Sequence, residues 1–283
     1  MKSDIYTATR VGVIGVGAMG RPVVDRLHGR GFDVAVHVRR NEIKADLSAQ
    51  GVTLEPDIAS LCKGRDFIIV YVYSEEQTRT LCLEDGLVDA MDRGAILIIH
   101  TTVGAKTVQD IGERAQSRGV KVVDAGGAWG PSYTALGEMN LMVGGDPADV
   151  AKCMPVFATY AYPIHHIGPL GSGMNMKLIN NAVLGVHLQL ASEVLRIARD
   201  LGMDGHRLLR GLTYCTGGST AMRFMETAVT EERFWEAGGS FLYKDLKVVE
   251  EFAAQQELDL GMIGKMNQPL IERLAEEFSS PHA

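Results

Sequence analysis

Cysteine is sparse and scattered. The four, Cys62, Cys82, Cys153 and Cys215, include no Cys-x-x-Cys pair, so their spacing supports neither a structural zinc site nor a disulfide framework and fits a reducing, cytoplasmic compartment. Basic runs are missing too. Lys and Arg number 28 against 35 Asp and Glu, a net charge of -7. With no Lys/Arg stripe to track a phosphate backbone, nucleic acid is set aside as a partner. No apolar stretch reaches the roughly 18 residues that a membrane-crossing helix needs, and the polar start from Met1 to Arg10 lacks the apolar segment of an export leader. The eight histidines form no spaced ligand set, and His165 and His166, adjacent in a strand, would face opposite ways, so no metal is expected. Internal repeats and low-complexity segments are absent. These absences leave a soluble, cytoplasmic protein that acts on a small molecule, away from membranes.

What is present is an ordinary globular composition, 46% hydrophobic and 22% charged, with 32 glycines spread along 283 residues. That length is near twice a rough prior of about 150 residues per domain, so two domains are expected. Val11 to Val16 reads as a short buried strand, Ala18 to Arg30 as a helix and Val34 to Val38 as a second strand after a stop at Gly31, which together make a βαβ unit. Further apolar runs at Phe67 to Val72, Ala95 to Ile99, Lys121 to Val123 and Leu141 to Val143 alternate with helix-like stretches or Gly-rich turns. Beyond Gly168 the character changes. Met174 to Leu201 is one long helical stretch without proline, followed by helical patterns at His206 to Leu212, Leu242 to Gln256 and Met262 to Phe278. The expected fold is an α/β Rossmann-type doubly wound sheet over 1–168, followed by an all-α C-terminal domain over 169–283 that begins with the long interdomain helix.

Gly15, Gly17 and Gly20 form GxGxxG between the first strand and the first helix, where a tight turn lets backbone N–H groups approach a pyrophosphate. A bare glycine pattern is equally a structural turn, but its place at a strand-to-helix junction points to dinucleotide binding. NAD-specific sites usually carry an acid at the end of the second strand, and here that strand ends Val38, Arg39, Arg40. Asp33 precedes the strand and Glu42 follows too late. Arg39 is therefore placed to meet the 2′-phosphate of NADP, with Arg40 as a second cation; NAD is the less favoured cofactor. The plain alternative is a pair of solvated strand-end arginines.

The run Gly15-Val-Gly-Ala-Met-Gly20 resembles the GxGxMG fingerprint of the β-hydroxyacid dehydrogenases, the family of 3-hydroxyisobutyrate dehydrogenase and tartronate semialdehyde reductase, and brings Ala18 and Met19 into the cofactor turn. The likeness continues almost collinearly. His100-Thr-Thr-Val103 is similar to the family's Ser-rich turn, Asp124 to Gly145 has the spacing of its DAPVSGG and MVGG segment, Gly171 to Asn181 resembles its GxGxxxKxxNN helix start, and Lys244-Asp245-Leu246 its late KDL motif.

From chemistry alone, Lys177 and Asn181 stand four apart on a helix and project from nearly one face, which by itself reads most simply as an exposed helical surface. The resemblance implies more: Lys177 as the general acid/base on the carbinol oxygen, Asn181 holding substrate, Thr102 contributing a hydroxyl and Lys244 reaching the cofactor. Hydride loss must be coupled to proton loss from the alcohol, and an oxidised nicotinamide with water excluded would disfavour the ammonium form of a lysine. Gly171, Ser172 and Gly173 read either as small residues that let cofactor and helix come close or as a flexible interdomain hinge. Glu193 and Asp245 read as structural ion-pair or capping residues.

The sequence departs most from the family in the substrate loop. Pro-Val-Ser-Gly-Gly is here Gly126-Gly127-Ala128-Trp129-Gly130, so Ala128 removes a hydroxyl, Trp129 replaces a glycine, and Pro131 offers no N–H to an anion. Trp129 reads either as core filler or as pocket lining that favours a substrate bulkier or more apolar than a simple 3-hydroxy acid. An imine reductase on the same plan is a rival that Lys177 argues against; a non-catalytic binding or assembly protein is another. 6-Phosphogluconate dehydrogenase needs a longer helical domain. A homodimer or higher homo-oligomer packed through helices is expected.

Overall fold

The computed structural model describes residues 8–228 and 230–278; most of the polar start read as lacking a leader, residues 1–7, lies outside them. Eight strands form one sheet: β1 (Arg10–Ile14), β2 (Asp33–His37), β3 (Thr53–Leu54), β4 (Phe67–Val70), β5 (Ile96–Ile99), β6 (Lys121–Ala128), β7 (Met139–Gly144) and β8 (Ala161–Gly168). Their order is β3-β2-β1-β4-β5-β6-β7-β8. Pairing is parallel throughout except between β6 and β7. The sequence order reverses across β1, which is the topological switch point of a doubly wound sheet.

Alternate residues of the central strands enter two cores. Val11, Val13, Ile69 and Ile98 pack on one face, and Ile14, Ile68, Val70 and Leu97 on the other. A strand buried on both faces reads as a continuous apolar run, which is why β1, β4 and β5 are visible in the sequence. The first helix, Gly20–Arg30, ends at Gly31, whose φ of 93° closes the turn.

Contacts divide the chain into two compact units, one ending at Lys177 and one beginning at Leu178. The expected boundary at Gly168 is the last residue of β8; the division falls instead inside the long helix Ser172–Asp200. The second unit is helical among the described residues: Gly205–Leu212, Thr220–Thr227, Glu231–Gln255 and Gly261–Phe278 follow the long helix. Its core gathers Leu188, Leu195, Leu209, Met225, Trp235, Leu246, Leu270 and Leu274. The helix expected from Leu242 begins eleven residues earlier at Glu231, because Gly238 and Gly239 do not break it. Gly239 lies under the Phe278 ring, 2.5 Å from where its Cβ would stand. Among the described residues no helix is long and apolar enough to cross a membrane.

Candidate active site

The three glycines of the first turn do two different jobs. Gly15 has φ 94°, and a Cβ there would run into the Tyr71 carbonyl; a Cβ at Gly20 would run into the Gly15 carbonyl. Both are required by backbone packing where the first helix crosses the strand ends. Gly17 is different: nothing lies within 4 Å of its absent Cβ. Its openness at a helix N-terminus is a cradle that a side chain would fill, and it fits the close approach of a pyrophosphate. Ala18 is exposed beside it, while Met19 is half-buried and packs against the core. Arg39 and Arg40 follow β2, both exposed and, among the described residues, without an ion pair. No carboxylate ends that strand. Asp33 at its start is paired instead with Arg65 at 3.1 Å.

On β6 and β7 a row of cross-strand pairs builds the second part of the site. Asp124 pairs with Gly144, Gly126 with Met142 and Ala128 with Asn140; directly opposed residues share a face. Asp124, fully buried, accepts from the backbone N–H groups of Gly171 and Met174 at 2.7 Å each. Burial pushes its carboxyl above the usual range, against the pull of those amides. The carboxylate thereby caps the start of the long helix. Gly171 has φ 94°, and a Cβ on Gly173 would meet the Met142 carbonyl. The small residues at 171 and 173 thus seat the helix on the sheet, backbone against backbone, a role that neither reading of them gave.

One pair further along, Lys177 lies across Gly126: its Cβ is 2.7 Å and its Cγ 3.1 Å from where a Gly126 Cβ would be. The glycine that stands in the substrate loop lets the half-buried lysine stem lie directly on the strand. On the opposite face, Gly127 makes room for the Met139 sulfur and the Tyr71 hydroxyl. His100 holds this part of β6 in place. Its Nδ1 is 2.6 Å from the Ala125 carbonyl and its Nε2 3.0 Å from the Tyr160 hydroxyl. The carbonyl can only accept, so Nδ1 carries the proton and Nε2 accepts from the phenol. Full burial lowers its pKa from 6.5 to about 4.

Thr102 follows β5, half-buried, and its hydroxyl has no hydrogen-bond partner among the described residues; the neighbouring Thr101 hydroxyl donates to the Val72 carbonyl at 3.2 Å. Ala128 and Gly130 are half-buried at the end of β6. Trp129 between them has φ 78°, a left-handed conformation that costs an L residue about 1–2 kcal/mol. Its half-buried ring packs against Tyr133 with centroids 4.9 Å apart and planes tilted by 38°. It does not belong to the buried core, whereas the other tryptophan, Trp235, is buried in a regular helix under the Arg273 guanidinium.

In the second unit, Asn181 is buried and its Nδ2 donates to Asp245 Oδ2 at 2.8 Å. A carboxylate only accepts, so this bond fixes which way the carboxamide points. Lys244 is half-buried, its Nζ 3.1 Å from Asp245 Oδ1. Asp245 therefore ties together two residues drawn from separate motifs. Glu193 pairs with Arg196 on the exposed side of the long helix. Asp124, His100, Tyr71 and Asn140 were not singled out from the sequence. Asp124 and His100 each open a segment that resembles the family's, but neither was given a role there.

Comparison with known proteins gives the same outline. Residues 10–168 match the sequence model of the NAD binding domain of 6-phosphogluconate dehydrogenase. Residues 171–280 match that described as NAD-binding of NADP-dependent 3-hydroxyisobutyrate dehydrogenase. An L-threonate dehydrogenase of Cupriavidus necator is 29% identical over 74% of this chain and 71% of its own. An NAD-dependent L-serine dehydrogenase of Pseudomonas aeruginosa is 25% identical over 95% and 93%. Among solved structures, 3-hydroxyisobutyrate dehydrogenase of Mycobacterium tuberculosis with L-serine superposes with a TM-score of 0.84 at 22% identity, covering 95% of this chain and 94% of its own. An imine reductase of Streptomyces aurantiacus shares the fold at TM-score 0.66 and 15% identity, covering 95% of each chain.

Proposed function

Because the chain belongs to the β-hydroxyacid dehydrogenases, nicotinamide-dependent oxidoreductases acting on CH–OH groups, we propose that it is an NADP-preferring member in which Lys177 is the general acid/base. The observation that carries this reading is the seat of Lys177: a helix start capped by buried Asp124, and a lysine stem laid on Gly126. Such a seat fixes where the amine is carried, which proton transfer at a defined oxygen requires.

Bound NADP supplies the hydride acceptor. The turn at Gly17 to Gly20 would receive its pyrophosphate, and Arg39 and Arg40, exposed and without carboxylate partners among the described residues, would face its 2′-phosphate. In oxidation Lys177 takes the hydroxyl proton; in reduction its ammonium returns one to the carbonyl oxygen. Thr102 offers an uncommitted hydroxyl to the substrate. Asn181, oriented by Asp245, and Lys244 are assigned to substrate and cofactor contacts of the second unit. Trp129 lines the substrate region with Ala128 and Gly130 and favours a group bulkier than that of a simple 3-hydroxy acid. Leu190 and Ile197 are exposed on the long helix seven residues apart, a spacing that shares one face, and Leu201 is exposed just past its end, which favours a homodimer; a monomer mass by light scattering would count against it.

The deciding experiment is steady-state kinetics of Lys177→Ala and Lys177→Arg on a panel of hydroxy acids, alcohols and imines. Both variants are expected to lose about 10²–10⁴-fold in kcat while binding NADP as before, since guanidinium does not give up its proton usefully. Near-normal turnover by either, or turnover of imines alone by the wild type, removes the assignment.

A further inference from the structure

The row of pairs on β6 and β7 continues one step past Lys177, and that step carries a polar group with no partner among the described residues. Asp124 and Gly144 take the start of the long helix, Gly126 and Met142 lie where the Lys177 stem rests, and Ala128 and Asn140 come next on the same face. Residues two apart on a strand stand about 7 Å from one another. The Asn140 side chain therefore projects from the sheet about one pair beyond the contact that seats the lysine. Its Oδ1 is buried and, among the described residues, has no hydrogen-bond partner. Across from it, Ala128 has no polar atom to offer.

A buried carboxamide oxygen left unpaired is costly, and native structures usually satisfy one. Here no side chain across the pair can do so, while the neighbouring pair holds the proposed proton-transfer group. We propose that Asn140 is a specificity-determining residue that accepts a hydrogen bond from the substrate, and hence that the substrate carries an O–H or N–H donor close to its carbinol. This rests on the proposed role of Lys177 only in where it puts the reacting carbon. The oxygen is an acceptor, so it selects a vicinal hydroxyl or an ammonium group and disfavours a carboxylate or a bare alkyl group at that point. Ala128 complements it by keeping the face low enough for such a substituent to reach Asn140.

The test compares matched pairs of 3-hydroxy acids that differ only in a hydroxyl or ammonium group next to the carbinol, glycerate and serine against 3-hydroxypropanoate. Binding to the NADP-loaded protein is measured by calorimetry alongside kcat/KM. The donor-bearing compounds are expected to bind at least tenfold more tightly to the wild type. Asn140→Leu should reduce that ratio to near one, and Asn140→Asp, which keeps an acceptor oxygen, should preserve it for the ammonium compound. Retention of the preference in Asn140→Leu, or its absence in the wild type, as when the oxygen is satisfied by solvent, overturns the proposal. Lys177→Ala separates the two readings: it should lose turnover yet keep the donor preference in binding. If it keeps turnover, the role of Lys177 fails while the binding ratio still reports on Asn140.

Discussion

The two units hold their polar groups by opposite means. In the first unit the positioning is done by backbone against backbone: Gly15 on the Tyr71 carbonyl, Gly20 on Gly15, Gly173 on the Met142 carbonyl, with Asp124 reaching amides of the helix start. In the second it is done by side chains, Asn181 on Asp245 and Asn267 Nδ2 on the Ala182 carbonyl at 2.8 Å. A backbone contact excludes every residue but glycine, and so writes a pattern of glycines into the sequence. A side-chain contact is made by residues that are common everywhere and leaves no such pattern.

The comparison is broken most severely at the glycines. Gly20→Ala must push the first helix off its strand and is expected to cost about 3 kcal/mol or more, the upper range for inserted volume. Gly17→Ala meets no neighbour and should melt like the wild type without cofactor, yet lose most of the stabilisation that added NADP gives. In the second unit Gly185→Ala meets the Asn267 carboxamide oxygen, a side-chain end that can shift only by giving up its bond to the Ala182 carbonyl, so its cost should be real but smaller than that of Gly20→Ala, where backbone meets backbone. Thermal melts with and without NADP decide all three; a Gly185→Ala loss equal to that of Gly20→Ala would erase the distinction.

A second test uses the buried histidine of the first unit. His100 titrates near 6.5 when unfolded and at about 4 when folded, so between those values the unfolded chain binds the extra proton. The neutral ring therefore contributes stability in full above pH 6.5, and this is lost as pH falls toward 4, on the order of 3 kcal/mol across the window. Urea unfolding at pH 7.5 and 4.5 should show this slope, and His100→Asn should flatten it. An unchanged slope in the variant would place the acid sensitivity elsewhere.

The same contrast between contacts that demand glycine and contacts that do not decides what was legible. β1, the first helix and β2 were visible because an apolar run, a glycine turn and a second run must occur in that order. β8 was hard to see, since as the sheet's edge it mixes exposed and half-buried residues, and β3 has only two residues. Nothing in the spacing announced the antiparallel turn between β6 and β7, and that turn is what brings Asn140 opposite Ala128. Lys177 was singled out through a family likeness, but the reason it can lie so close to β6 is Gly126, which the sequence showed only as a departure from that family. His100 and Tyr71 were given no role from the sequence, because their roles depend on partners 25 to 60 residues away.

The smallest expected effect sharpens the cofactor side. Arg39→Asp removes one charge-assisted contact and should lower kcat/KM with NADP by about 10- to 150-fold, equivalent to about 1.5–3 kcal/mol, with little change for NAD. Equal use of both cofactors by the wild type would remove Arg39 from cofactor choice.

The reach of Asp124 fixes where this chain can be divided. Its two oxygens are occupied by the amides of Gly171 and Met174, so a fragment ending at Gly168 would contain the whole sheet and still strand a carboxyl in its interior. The first turn of the long helix belongs, energetically, to the sheet. An excised nucleotide-binding unit would have to extend past Met174 to fold on its own, and a graft of a foreign helical domain would have to be spliced within the long helix rather than at the loop before it.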